Sequence, residues 1–557
     1  MKTEDTLATI KFNNKKLKIK RGTKVKDLIA QYLLEESDDI IAVVLNNRTV
    51  SLDAEILRSG VIEPVYLCSR KGARLYQKHI NIMLYEIFYS LYPHANIRIG
   101  QAISEGHYFK VTGITVDNKF IKTVTKSLHT LAESKTPFEF IRIPVEDARR
   151  RFYKMDRKDK KQLLDQWPQS HVPLIKLNNF IDFCLHPVAP HTGMFKYFNI
   201  IPLENDAFIL QFPHHGTKDI PDSTFNQPKL YETHKMARKW SKIVKIQHVA
   251  DLNKAAISKD IKEVIKISEA LHEKKLSNIA DKIAEAPVKR LVFISGPSSS
   301  GKTTFSKKLS IQLRVLGFQP IPLSLDNYYV DREKTPRGPD GKKDFELLEA
   351  IDLKQFNSDL RDILDGKEVL TPVYNFNTGL REEPSKGIPV LLGENGILII
   401  EGIHGLNDAL TPRIRNDEKF KIYINALNPL SIDNHNRLNT SDVRLLRRIV
   451  RDRHYRGYSA AQTINNWGSV RRGERTNIFR FQESADVIFD TSLIYEFSVL
   501  KIWADYYLME VPRSDPAYAE AYRLKQFLSM FVAVLPADVP NTSIMREFIG
   551  GSSFSYR

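Results

Sequence analysis

The sequence predicts an α/β protein whose back half is a parallel sheet wrapped by helices, with two smaller units in front. Three observations carry this. From about residue 288 onward, short apolar runs alternate with helix-like segments, the pattern of a parallel sheet. Between one such run, "RLVFIS", and a helix-like stretch stands "GPSSSGKTT", Gly296 to Thr304. The first 68 residues read as strand, strand, helix, strand, strand, which suits a small mixed sheet crossed by one helix.

The elements follow in order. "TLATIKF" and "KKLKIKRG" alternate as half-buried strands, "KVKDLIAQYLL" has helical spacing, and "IIAVVLNN" and "PVYLCS" are extended. Residues 69–240 open on the helix-like "YQKHINIMLYEIFYSLYP" and then mix short strands with helices. Their most charged stretch, "DARRRFYKMDRKDKKQLLDQ", carries Arg149, Arg150, Arg151, Lys154, Arg157, Lys158, Lys160 and Lys161. It reads either as an RNA-facing patch or as a solvated helix with Asp147, Asp156 and Asp159 interspersed. Residues 241–287 are polar with apolar positions near a 3.6 period, a helical connector. Residues 288–557 complete the chain.

With 557 residues, 42% hydrophobic and 27% charged, the chain can bury sizeable cores without disulfides. Its two cysteines, Cys68 and Cys184, suit a reducing compartment. No stretch nears the roughly 20 apolar residues needed to span a bilayer, and the first residues show no leader pattern. The expectation is a cytoplasmic protein with no membrane contact. A net charge of +17 favours anionic partners without choosing among nucleotides, RNA and acidic surfaces. Self-association is left open, a homo-oligomer included.

The loop after "RLVFIS" has the spacing that wraps nucleotide phosphates. Gly296 and Gly301 let backbone N–H groups close on phosphate oxygens, and the following helix adds its positive end. Lys302 can reach the β and γ phosphates, and the Thr303 hydroxyl can ligate Mg²⁺. The next strand, "QPIPLSL", ends at Asp326 in "SLDNYY". Strand ends line the ligand crevice of such sheets, so Asp326 is either a base for an acceptor hydroxyl or a helix cap. "GILIIEG" ends at Glu401, a ligand for Mg²⁺ or its water, or a turn acid. In "VRLLRRIVRDRHYRGY", Leu445, Leu446, Ile449 and Val450 form one stripe of a helix. Arg444, Arg447, Arg448 and Arg451 form the other, with Arg453 and Arg456 following. Such a row of guanidiniums suits a lid over a transferring phosphoryl group.

"GPSSSGKTT", "SLDNYY", "DFELLEAIDL", "TPVYNF", "IIEGIHGL" and "RRIVRDRHYRG" occur in the order of the uridine kinase and phosphoribulokinase family, over about residues 288–490. The resemblance is greatest to uridine–cytidine kinases. It implies a P-loop parallel-sheet kinase domain that uses ATP and Mg²⁺ to phosphorylate a nucleoside 5′-hydroxyl, uridine or cytidine. By that resemblance Gly296, Ser298, Ser299, Ser300, Gly301, Lys302, Thr303, Thr304 and Arg456 serve ATP, and Thr303 and Glu401 serve the metal. Asp326 is the base, with Lys302 and Arg451 assisting transfer. Glu346, Tyr374 and Arg448 contact the nucleoside. One departure stands out: family members often place a histidine shortly after "PVYDF", where this chain has Gly379. The alternatives are a kinase of another small hydroxyl metabolite and an RNA-associated regulator that binds ATP.

Residues 1–68 resemble the β-grasp TGS domain of threonyl-tRNA synthetase, and residues 69–240 resemble the α+β editing domain that follows it there. The editing domain's metal pattern is broken: Met83 stands four residues after His79, and Cys184 is followed by His186 and His191 at the wrong spacing. The expectation is therefore no zinc and no editing hydrolysis. Residues 1–240 would act as a docking or regulatory module, and a chain beginning near Ser241 would keep kinase chemistry.

Overall fold

The computed structural model describes all residues except 1–6, 13–14, 34–37, 214–215, 221–224, 287–289, 339–340, 342, 376–377 and 557. The expected division at 287/288 lies outside the described residues.

The alternation in "LATIKF" becomes β1 (Leu7–Phe12), with Ala8, Ile10 and Phe12 buried. It pairs antiparallel with β2 (Lys15–Lys20). Helix α1 (Val25–Tyr32) follows, then β3 (Ile40–Leu45), β4 (Arg48–Val50) and β5 (Gly60–Tyr66). The sheet order is β2-β1-β5-β3-β4, with β1 parallel to β5 and the remaining pairs antiparallel, a β-grasp arrangement. β3 is continuously apolar because both its faces are covered. Ile40 and Val43 join the core that includes Val25, Leu28 and Ile29 of α1, while Ile41 and Val44 pack with the next helix.

That helix, α2 (Arg70–Leu91), starts where Ser69 Oγ accepts from the Gly72 N–H at 3.1 Å. β6 (Asn96–Ile103), β7 (Gly106–Thr112) and α3 (Asn118–Glu133) follow, then β8 (Glu139–Pro144), α4 (Val145–Lys154), α5 (Lys158–Leu164), β9 (His171–Leu177) and β10 (Phe180–Phe183). With β11 (Asn199–Glu204) and β12 (Ala207–Gln211), these make two antiparallel sheets, β8-β9-β10 and β11-β12-β7-β6. Helices α6 (Pro228–Ile243), α7 (Val249–Ile257) and α8 (Ile261–Ala284) lead on, α6 running across the expected division at residue 240.

The back half holds β13 (Leu291–Ser295), α9 (Lys302–Val315), β14 (Gln319–Ser324), α10 (Leu353–Leu364), β15 (Gly396–Glu401), β16 (Lys419–Asn425), α11 (Thr440–Tyr455), α12 (Ala460–Asn477) and β17 (Val487–Asp490). The five strands are all parallel, in the order β14-β15-β13-β16-β17. The first strand is central, so its C-terminal loop lies at the point where the strand order reverses, where such sheets bind ligands. Helices α13 (Glu496–Met509), α14 (Tyr518–Leu528) and α15 (Arg546–Ile549) finish the chain. Among the described residues no helix is long and apolar enough to cross a membrane.

The two halves are not separate bodies of packing. One hydrophobic cluster runs from Ala148, Phe152, Val172 and Phe183 through Leu252 and Leu276 to Ile294, Leu445 and Phe548. In the same place the basic stretch keeps Arg150, Arg151, Lys154 and Lys158 exposed, as a solvated helix would, while two of its cations turn inward. Lys160 is 1% exposed, bonded to Asp182 at 2.5 Å and Asp433 at 2.9 Å. Arg157 bonds Asp159 and His435. These two cations face the loop before α11, Lys160 fully buried and Arg157 about 15% exposed, because buried carboxylates need them as counter-charges. A chain starting near Ser241, expected to keep kinase chemistry, would have to do so at a cost to this shared packing. Such a cut strips apolar cover from the shared cluster and leaves buried Asp433 without Lys160.

Candidate active site

Strand β13 ends at Ser295, and the chain turns at once into the phosphate loop. The turn tolerates only glycine at Gly296, where a Cβ would stand 2.1 Å from the Ile424 carbonyl oxygen. Gly301 sits at φ 88° and Ser299 at φ 58°, left-handed conformations that curl the loop around its own N–H groups. Ser299 and Ser300 are buried, and their hydroxyl oxygens have no partner in the protein. A buried cradle of amides and unpartnered hydroxyls at a helix N-terminus fits phosphate groups.

Lys302 Nζ donates to the Gly296 and Pro297 carbonyls at 2.9 and 3.3 Å. Its pKa is lowered by burial, against the opposing pull of Glu401 and Asp326. The Thr303 hydroxyl donates to Glu401 Oε1 at 3.3 Å, while Glu401 Oε2 is buried without a partner. Burial pushes the Glu401 carboxyl up to about 7, with Lys302 opposing and Asp326 adding. A hydroxyl and a half-satisfied carboxylate side by side fit a divalent cation, with Thr303 and Glu401 to hold it.

Asp326 stands inside the single turn Leu325–Tyr328 directly after β14, whose N-cap position is taken by Ser324. Burial raises its pKa, opposed by Lys302, Arg456 and Arg451, so the structure brings these four charges to one place. Glu346 packs on α12, where a Cβ on Gly473 would meet its side chain at 2.3 Å, and the Asn477 amide donates to its carbonyl at 2.6 Å. Its carboxyl is pushed up to about 7, first by burial and then by Glu474, with Arg448 and Lys302 pulling it down. Tyr374 is buried, its ring 5.7 Å from that of Tyr329. Gly379 has φ 74°, and a Cβ there would lie 2.5 Å from Arg332 Nε, so an arginine occupies the neighbourhood of the absent histidine.

The arginine helix divides differently from its sequence stripes. Arg444 and Arg447 are 1% and 0% exposed and cannot form a lid surface. Arg444 pairs with buried Glu474 and donates to the Ser298 carbonyl at 3.1 Å, while Glu474 accepts from the Ser298 N–H. Arg447 bonds Glu496 at 2.7 Å and the Thr491 carbonyl, and the Thr491 hydroxyl reaches the Ser300 carbonyl. Both guanidiniums therefore brace the loop backbone from behind. Arg448, Arg451 and Arg456 remain on the site side. They converge on Asp452 at 3.2, 2.7 and 3.8 Å, and Arg448 also donates to the Ser298 hydroxyl at 2.6 Å.

Asp452, Glu474 and Glu547 escaped the sequence reading. Asp452 had a signal, lying four residues from both Arg448 and Arg456 on one helix. Glu474 had only Arg471 three residues before it on one helix, its contact with the phosphate loop lying 176 residues away, and Glu547 had none, its partner lying 243 residues away.

In the front half, the residues corresponding to the broken metal pattern are tied up. His79 Nδ1 lies 2.8 Å from the Leu75 carbonyl and its Nε2 accepts from the Ala189 N–H at 2.9 Å. Cys184 Sγ donates to the His186 carbonyl. Both ring nitrogens of His79 are spent on backbone.

The description "Phosphoribulokinase / Uridine kinase family" matches residues 291–494. A uridine kinase of Ligilactobacillus salivarius is 28% identical over 180 residues, 32% of this chain and 74% of that protein. A threonine–tRNA ligase of Clostridium kluyveri is 22% identical over 193 residues, 34% of this chain. The chain spans 30% of that ligase's length. A solved structure described as a possible uridine kinase from Bacillus stearothermophilus aligns over 39% of this chain and 100% of its own, at 20% identity and a TM-score of 0.26. The strand–loop–helix, the strand-end carboxylates and these likenesses converge on one statement: residues 291–494 match the phosphoribulokinase / uridine kinase family, which supports a phosphotransferase, and they follow a region similar to threonine–tRNA ligases.

Proposed function

We propose that this domain transfers the γ-phosphoryl group of ATP to the 5′-hydroxyl of a nucleoside, uridine or cytidine first. The observation that carries the reading is the convergence of Lys302, Asp326, Glu401, Glu346, Arg451 and Arg456 in one electrostatic neighbourhood at the strand ends. Gly296, Ser298, Ser299, Ser300, Gly301 and Thr304 offer the phosphate cradle, and Thr303 with Glu401 holds Mg²⁺. The bound metal supplies charge for the β and γ oxygens. Asp326, its carboxyl raised by burial against the pull of Lys302, Arg456 and Arg451, takes the acceptor proton as general base. Arg451, now held on Asp452, is positioned to turn its charge to the transferring group. Glu346 and Arg448 orient the ribose, and Tyr374 packs on the base.

A second acceptor class, another small hydroxyl metabolite, is favoured by one feature. Arg332 fills the place beside Gly379 and brings a cation to the base pocket. Residues 1–240 serve as a docking or regulatory module whose ligand is open. ADP release over a panel of nucleosides, sugars and pantothenate tests both acceptors. Uridine or cytidine as best substrate supports the first, and a sugar or pantothenate in their place refutes it.

A further inference from the structure

Residues 543–556 return to the phosphate loop from behind. The segment is firmly seated: Met545 and Phe548 are fully buried, Arg546 donates to the Val539 and Pro536 carbonyls, and Ser543 Oγ donates to Glu269. Ile544 lies 2.7 Å from where a Cβ on Gly301 would stand. From this base Glu547 reaches the first turn of α9. Its Oε2 accepts from the Thr304 N–H at 3.2 Å and from the Thr304 hydroxyl at 2.5 Å. The Tyr556 hydroxyl closes on the same Thr304 oxygen at 2.9 Å and on Ser552 at 3.0 Å.

The amides of a helix's first turn have no partner within the helix, and after a loop of this kind they cradle nucleotide phosphates. A carboxylate is an anion of the same sign and takes the same N–H. One donor cannot serve both. We propose that Glu547, backed by Tyr556, is a built-in competitor for the nucleotide's phosphate seat, so that ATP and ADP bind by displacing it. This rests on the nucleotide-binding reading above and adds regulation to that site. The anchored helix α15 stays, while the Glu547 side chain rotates away. Gly550 and Gly551, at φ 88° and 70°, separate that helix from the portion carrying Tyr556, which can lift independently. The device lowers affinity for substrate and product nucleotides alike. It also places a negative charge beside Lys302 and Glu401, both of which sense Glu547.

The test is direct binding by calorimetry to full-length wild type, Glu547→Ala, Glu547→Gln and Tyr556→Phe, with ATP, ADP and adenosine. Removing one charge-assisted competitor should tighten ATP and ADP about tenfold in Glu547→Ala. Glu547→Gln and Tyr556→Phe should fall between it and wild type. Adenosine, which carries no phosphate, should bind all four alike. The ligand-free Glu547→Ala protein should melt lower, since Thr304 loses its partner. Unchanged or weaker ATP binding in Glu547→Ala and Tyr556→Phe overturns the proposal, and so does equal tightening of adenosine. ATP binding without phosphoryl transfer to any acceptor refutes the kinase reading and leaves this one standing. No ATP binding by any of the four proteins overturns both.

Discussion

Lys160→Met should be among the most damaging single changes far from the phosphate loop. The side chain is 1% exposed, and its ammonium stands between Asp182 and Asp433, both 0% exposed, at 2.5 and 2.9 Å. Methionine fills the aliphatic stem and removes only the charge. Two buried carboxylates then share what remains: the Phe183 N–H, the Asn436 amide, the His435 ring and Arg157 nearby. His435 is held neutral by burial, its pKa down to about 4, so it supplies no charge near pH 7. Breaking a buried pair from one side costs about 3–5 kcal/mol, because the other side stays desolvated. Urea unfolding followed by fluorescence should show that loss in the first transition. Lys160→Met with Asp433→Asn should recover at least half of it, the sign of pairwise coupling. The pH dependence adds a check. Asp182 and Asp159 are held below the usual carboxylate range despite burial, chiefly by Lys160 and by Arg157 respectively. A lowered carboxyl gives stability that is present above the ordinary value near 4 and lost as pH falls below it. Wild type should hold its stability down to about pH 5 and lose it below about pH 4, and the variant should lose much of that acid-sensitive part. A Lys160→Met cost under about 1 kcal/mol would refute the claim that this cation ties the front half to the loop before α11.

Three further outcomes are expected. Asp326→Asn should lower kcat about 100-fold or more with ATP affinity held, since shape stays and the base goes; collapse of ATP binding would make Asp326 structural. Lys302→Ala should abolish transfer at saturating ATP, read as ADP release, and near-wild-type turnover would sink the phosphate-loop reading. Glu346 and Glu401, both raised to about 7, should make the ligand-free protein less stable as pH rises from about 4.5 through 7, because the unfolded chain has already released those protons. Thermal melts at pH 5.5, 6.5 and 7.5 should show a slope that Glu401→Gln reduces; an unchanged slope would place the titration elsewhere.

What the sequence by itself determined was local and contiguous. The loop from Gly296 to Thr304 is legible because nine successive residues, a strand before and a helix after, define its geometry without reference to the rest of the chain. The β-grasp start is legible because period-2 alternation and one amphipathic helix allow few sheets, and the all-parallel back half because apolar runs alternate with helices. Asp326 and Glu401 were legible as strand-end carboxylates. Only the tertiary structure decided where charges point. Arg444 and Arg448 are four residues apart on one helix, yet Arg444 is buried on Glu474 while Arg448 reaches the Ser298 hydroxyl. Lys160 reads as one more surface lysine until Asp182 and Asp433 arrive from elsewhere in the chain. Glu547 has no motif at all. A charge's meaning depends on its partner and on how much water is left around it, and both are set by contacts across hundreds of residues, which the order of residues does not display.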